Sequence, residues 1–273
     1  MRLRIAEHGQ RDRPKGGSGE FTTMNLNVIF HPRSGVSRLL SSGLIIGLCL
    51  VTTVAQSVTI TPQRSVYRRS KPMLDSKRTF TIRRPIVKAS TPILSRKITT
   101  AISPEKVLAL NTREELTDYQ WLEEANYKVL FNQNGVLCVE QWMTGAGAYP
   151  DSVTKTVVVD IRKGERVTIR DVFSGLPRLA AMIRSAQTAE IKAAAEDMKS
   201  NPDTRPEDLF RETNFTIKDL NEFAIDAKGV TFIYDYGFPH VIEALQPTGQ
   251  FHFTWKQLKP HIRTDGLLAR FVR

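Results

Sequence analysis

Residues 127–143 read YKVLFNQNGVLCVEQWM, two β-rich runs that meet at Asn134-Gly135. Asn-Gly between such runs is a strong short-range mark of a tight hairpin, because its turn positions need positive φ. The form recurs: KTVVVDIRKGERVTIRDVF (155–173) breaks at Lys163-Gly164, and EFAIDAKGVTFIYDY (222–236) breaks at Lys228-Gly229. Three hairpins in one chain predict a mainly antiparallel sheet.

Working outward, FTIRRPIV (80–87) reads as the first strand, and Pro85 places it at an edge or a strand end because proline cannot donate to a ladder. SPEKVLAL (103–110) reads as a helix capped by Ser103 with Pro104 in its first turn, and a second short helix is expected over Arg113–Leu122. The longest helix is expected at Leu176–Met198, entered through Ser174. Leu179, Met182, Ile183, Ala186, Ala189, Ala193 and Ala194 share one of its faces, which Glu190 interrupts. SNPDTRP (200–206) is a turn-rich connection, and HFTWKQLKPHI (252–262) a last strand running into a short helix. Helices packed on a hairpin-built sheet give an α+β domain.

The formal charge of +11 is unevenly spread. Residues 1–98 hold 18 Lys and Arg against 4 Asp and Glu, a balance of 18 − 4 = +14; residues 99–273 hold 21 against 24, or −3. The domain is therefore nearly neutral, which removes the main support for nucleic-acid binding. No charged residue falls between Arg38 and Arg64, and LLSSGLIIGLCLVTTVA (39–55) is strongly apolar. With Arg33 and Arg38 before it and Thr53-Val54-Ala55 as a small-residue cleavage context, this is a signal peptide or an uncleaved membrane anchor. A start at Met24 gives a conventional leader and leaves 1–23 as an upstream extension. Leu48 before Cys49 argues against lipidation. Cleavage would leave Cys138 alone, without an intrachain disulfide partner.

The chain thus divides into 1–55, extension and signal peptide or anchor; 56–76, a polar and basic tether; and 77–273, the α+β domain. Exported, it would be periplasmic or extracellular, touching membrane only through its N-terminal segment.

In order, YKVLFNQNGVL, GAGAYP, VVVDIRKGERVTIRDVF, FAIDAKGVTFIYDYGFPH and FHFTWKQLKP resemble the extracellular RsiV-like domain. That family of unknown function occurs in lysozyme-sensing anti-sigma factors and in PdaC-type peptidoglycan deacetylases. The resemblance spans about 77–262 and implies an envelope domain that binds or senses a ligand. Where the family often has Gly-Gly-Ala-His-Pro, this chain has Ala146-Gly147-Ala148-Tyr149-Pro150, so tyrosine replaces the histidine. Residues 1–38 are too short for a sigma-binding domain, and the paired aspartates and His-x-x-x-His of the deacetylases do not occur.

Tyr149, Asp235, Tyr236, Phe238 and His240 are the candidate ligand-binding residues: aromatic rings with polar edges suit a sugar or protein partner. The competing reading has Tyr234 and Tyr236 filling core and Gly237 with Pro239 turning the chain out of a strand. No cofactor or metal is expected, since His240, His252 and His261 are too widely spaced for a zinc motif. The acidic run Glu114, Glu115, Asp118, Glu123 and Glu124 reads as a solvated helical face. Expected partners are peptidoglycan or a wall-active protein. The alternatives are a hydrolase using Tyr149, Asp235 and His240, and a membrane-anchored structural or assembly factor.

Overall fold

The computed structural model describes residues 56–147, 149–199, 205–211 and 213–273, apart from the His240 side chain. The leader and apolar run of 1–55 lie outside the described residues.

The elements run β1 (Thr59–Arg68), β2 (Thr79–Lys88), α1 (Pro92–Ala101), α2 (Pro104–Val107), α3 (Thr112–Thr117), β3 (Leu122–Gln133), β4 (Val136–Ala146), β5 (Pro150–Asp160), β6 (Glu165–Arg166), α4 (Ile169–Val172) and α5 (Leu176–Met198). After α6 (Pro206–Leu209) follow β7 (Phe223–Ile225), β8 (Gly229–Ile233), β9 (Gln250–Thr254) and α7 (Trp255–Leu258). Strands β1 to β6 form one sheet in sequence order, and β7 to β9 a second. Every neighbouring pair is antiparallel except β2 and β3, which meet only at Thr81–Glu124 and Ile82–Ala125. The fold is α+β, and the three expected hairpin turns all occur.

Strand β4 is the centre. Val136, Leu137, Cys138 and Val139 are all fully buried, so the strand is covered on both faces and its sequence runs apolar instead of alternating. Val136 and Cys138 pack with Val158, with Phe232, Phe251 and Phe253 of the second sheet, and with Leu179 and Ile183 of α5. Leu137 and Val139 pack the other way, with Val157 and Val159, Ile98 of α1, and Val58 and Val87. Cys138 accepts a hydrogen bond from the Ile225 backbone at 3.3 Å, which ties the two sheets together.

The basic tether expected over 56–76 is corrected. Residues 59–68 are the edge strand β1, paired with β2 along its whole length. The physical reason lies at Arg69, which is fully buried. Its Nε and Nη2 donate to the carbonyls of Glu115 and Leu122, both at 2.8 Å, and Nη1 to that of Lys77 at 2.6 Å. Its guanidinium lies 3.4 Å from the Glu115 carboxylate and 4.7 Å from the centre of the Phe80 ring. Glu115 also accepts the Leu122 N–H at 2.7 Å. The solvated acidic face is corrected with it: Glu115 is buried, and Glu123 and Glu124 belong to β3.

Four further expectations change. Pro85 is not at the sheet edge, since β1 lies outside it, but β2 has lost β3 by that point. Counting in twos from the Arg69–Arg78 hydrogen bond puts Pro62 and Pro85 opposite each other in a non-hydrogen-bonded pair, where a missing N–H breaks no bond. The helix over 103–110 shrinks to the single turn α2, while α1 forms just before it, capped by Thr91. The helix over 113–122 closes early as α3, capped by Asn111, and leaves its last residue to β3. After Lys163-Gly164 only Glu165 and Arg166 pair with β5; a capping box between Thr168 and Asp171 then turns the chain into α4.

Among the described residues, no helix is long and apolar enough to cross a membrane.

Candidate functional site

The segment after β8 is held on all sides. Tyr234 prolongs the strand by donating its N–H to Gly249 at 2.8 Å. Asp235, exposed, accepts the Gly237 N–H at 2.9 Å and a bond from the Gln246 amide at 3.4 Å; Gln246 in turn accepts the Phe238 N–H at 2.9 Å. Gly237 takes a φ of 65°, which a side chain would resist. Tyr236 and Phe238 are buried with Met198 of α5, and Phe210 packs 5.7 and 5.3 Å from their ring centres.

Glu190, the carboxylate that interrupts the apolar face of α5, organises this turn. It accepts the Tyr236 hydroxyl at 2.7 Å, the Thr248 hydroxyl at 2.8 Å and the Gly249 N–H at 3.2 Å. Burial first, and the bond to Glu190 second, push the Tyr236 phenol well above its ordinary pKa. Tyr149 is 66% exposed at the turn between β4 and β5. Tyr236 and Phe238 pack the core, Asp235 closes a turn, Tyr149 stands on another hairpin, and the His240 side chain lies outside the described residues.

Among the described residues, no group of three or more His, Cys, Asp or Glu could hold a metal. Burial pushes the Cys138 thiol up to about 12, which makes it an inert core residue.

A groove of about 530 Å³ opens elsewhere, between the turn after β5, α4 and the segment 263–267. Its walls carry Arg162, Lys163, Arg166, Arg170 and Arg263 together with Asp160, Glu165, Asp171 and Asp265. The carboxylates are engaged within the fold. Asp160 accepts the Arg162 N–H at 2.9 Å, and Asp171 takes the Thr168 N–H and hydroxyl at 2.7 Å each. Asp265 pairs with Arg263 at 2.9 Å, and Glu165 lies 3.9 Å from Lys97 outside the groove. The Thr168 bonds, aided by Lys163 and Arg263, hold the Asp171 carboxyl below its usual range. Lys163 and Arg170, both exposed, have no ion-pair partner among the described residues. The groove carries five cations against four carboxylates, and two of the cations, Lys163 and Arg170, stand in no ion pair among the described residues. Sequence reasoning missed it because the charge balance of 99–273 is nearly neutral; the available signal was RKGERVTIR (162–170), with four cations in nine residues.

A search of solved structures finds a similar fold in a crystallised DUF3298-family protein of Bacteroides fragilis, at a TM-score of 0.50 and 14% identity. The fold is similar to that of DUF3298 proteins. The match covers 79% of this chain and 96% of that one. A second DUF3298 structure, from Pseudomonas aeruginosa, matches at 0.45 and 13%, covering 76% of this chain and 94% of that one. No protein-family model matches the sequence. No curated protein matches it. At this identity the DUF3298 likeness is one of fold, and the domain it points to is uncharacterised.

Proposed function

We propose that this chain is an exported or membrane-tethered, non-catalytic envelope domain of the RsiV-like kind, which binds an acidic ligand in the groove beside α4. The observation that carries the reading is the surplus of cations in that groove, five against four carboxylates, with exposed Lys163 and Arg170 in no ion pair among the described residues. At about 530 Å³ the cleft has the size of a ligand site. The uncharged run 39–55 and the order of motifs support the envelope as its location. Peptidoglycan, whose stem peptides bear free carboxylates, is the first ligand to try; a wall-active protein would have to present an acidic surface.

The test is co-sedimentation of the protein with isolated sacculi. Saturable retention that falls at least tenfold in Lys163→Glu/Arg170→Glu, and is kept in Tyr149→Ala, is the expected result. Equal retention of all three proteins, or none by any, would overturn the groove as the site.

A further inference from the structure

A second cluster of cations lies where the domain's chain begins. Gln56, the first described residue, accepts the Gly135 N–H through its carbonyl at 2.8 Å, and the Gly135 carbonyl accepts the Ile161 N–H at 2.9 Å. Arg270 donates to the Asn134 carbonyl in the same turn. A Cβ built on Gly135 would lie 2.8 Å from the Arg270 guanidinium and 3.8 Å from the Gln56 side chain. Arg162 and Lys163 follow Ile161 directly, and both are exposed. Burial, and then repulsion from Arg162 and Arg273, lower the Arg270 pKa, so these three guanidiniums lie within electrostatic reach of one another. Asp160 is the acidic group that faces them. Arg270 thus bonds the turn that holds Gln56, Arg162 and Lys163 follow the Ile161 bonded to that turn, and Arg273 lies three residues beyond Arg270, which puts four cations near the point at which the chain enters the fold.

The covalent chain gives that position its meaning. Residue 55, the end of the apolar run, is one peptide unit from Gln56, about 4 Å. In sequence, the described fold begins at Gln56, directly after the apolar run of 39–55, and 59–68 is already a strand.

We propose that the face formed by Gln56, the Asn134-Gly135 turn, Arg162, Lys163, Arg270 and Arg273 docks on anionic phospholipid headgroups of the membrane from which the chain emerges. This rests on the tether part of the reading above, and the face shares Arg162 and Lys163 with the groove. Guanidiniums make paired hydrogen bonds to phosphate, and they lose little hydration in doing so. Each basic residue held at an anionic leaflet raises partitioning about fivefold, an effect that fades within a Debye length.

The experiment uses the full chain, mixed with vesicles of phosphatidylcholine alone or of phosphatidylcholine with phosphatidylglycerol. Flotation reports attachment, and the rate of tryptic cleavage after Lys163, a site the variant below keeps, reports docking. The proposal expects flotation with both vesicles, with cleavage at least tenfold slower on the anionic ones at low salt. That protection should disappear at high salt and in Arg162→Glu/Arg273→Glu, whose exposed positions leave the core untouched. Equal cleavage on both vesicles overturns the docking face while leaving the tether intact. If the chain fails to float on neutral vesicles, the tether reading fails by itself. Salt-sensitive flotation on anionic vesicles would then still support the face, and its absence would overturn it. Protection by inorganic pyrophosphate as complete as that by the vesicles would make this a soluble-phosphate site and overturn the lipid assignment.

Discussion

Replacing Glu115 by Gln removes one negative charge from the interior and little else. Gln keeps the shape and an oxygen to accept the Leu122 N–H, now 2.7 Å away. The Arg69 guanidinium stays buried against three carbonyls and the Phe80 ring, but its counter-charge is gone. Removing one partner of a buried pair costs about 3–5 kcal/mol, most of it the penalty of an uncompensated charge. Because the carbonyl bonds remain, Glu115→Gln belongs at the low end, about 3 kcal/mol. Arg69→Met deserts three carbonyls as well and belongs nearer 5 kcal/mol. The double variant should be milder than the sum by about 2 kcal/mol, since the second change removes an already orphaned group. Urea unfolding at fixed pH measures all three. A Glu115→Gln protein within about 0.5 kcal/mol of the parent, the range of ordinary surface changes, would refute the claim that this pair holds β1 to the domain.

Other consequences follow from single sites. Tyr236 has a folded pKa raised above that of the unfolded chain, so its contribution is complete below about pH 10 and is lost as the pH climbs beyond it. Tyr236→Phe should flatten the alkaline fall in stability, read from unfolding midpoints between about pH 9 and 11. Gly249 has a φ of 61°, and a Cβ there would sit 1.9 Å from the Tyr234 carbonyl. Gly249→Ala should cost about 3 kcal/mol of stability in urea melts, whereas Gly175→Ala, in open space at φ 59°, should cost about 1 kcal/mol. Cys138, with its thiol pushed up to about 12, should resist thiol reagents at neutral pH in the native protein and react at the rate of unfolding.

The sequence was most legible where local chemistry and burial agree. Asn134-Gly135 needs positive φ at both positions and has it, at 53° and 74°. The continuous apolar run at 136–139 became a strand covered on both faces, and α5 begins and ends at the residues its pattern indicated. The region 165–172 misled because Val167 and Ile169 alternate like a strand, while the Thr168–Asp171 capping box, also visible in the sequence, decides for a helix. Residues 56–76 misled more deeply. Their composition is that of a tether, and only a partner 46 residues along the chain makes Arg69 a buried residue. Glu190 is the same kind of case: its bonds reach 46 and 58 residues away, so the sequence displays the interruption and not its purpose. For the candidate site, aromatic residues drew attention to 234–240, but rings at alternating strand positions are as apt to pack as to bind, and here they pack. The cations of the groove were hidden by averaging, since neutral composition says nothing about which charges are paired.

The envelope reading depends on the fate of 39–55. The most direct measurement is therefore to express the whole chain in a bacterial host, separate cytoplasm, membrane and released envelope fractions, and take the intact mass from each. The account predicts either an envelope protein whose mass begins near Gln56 or a membrane-bound protein that retains 39–55. An uncut chain, soluble in the cytoplasm, would contradict it.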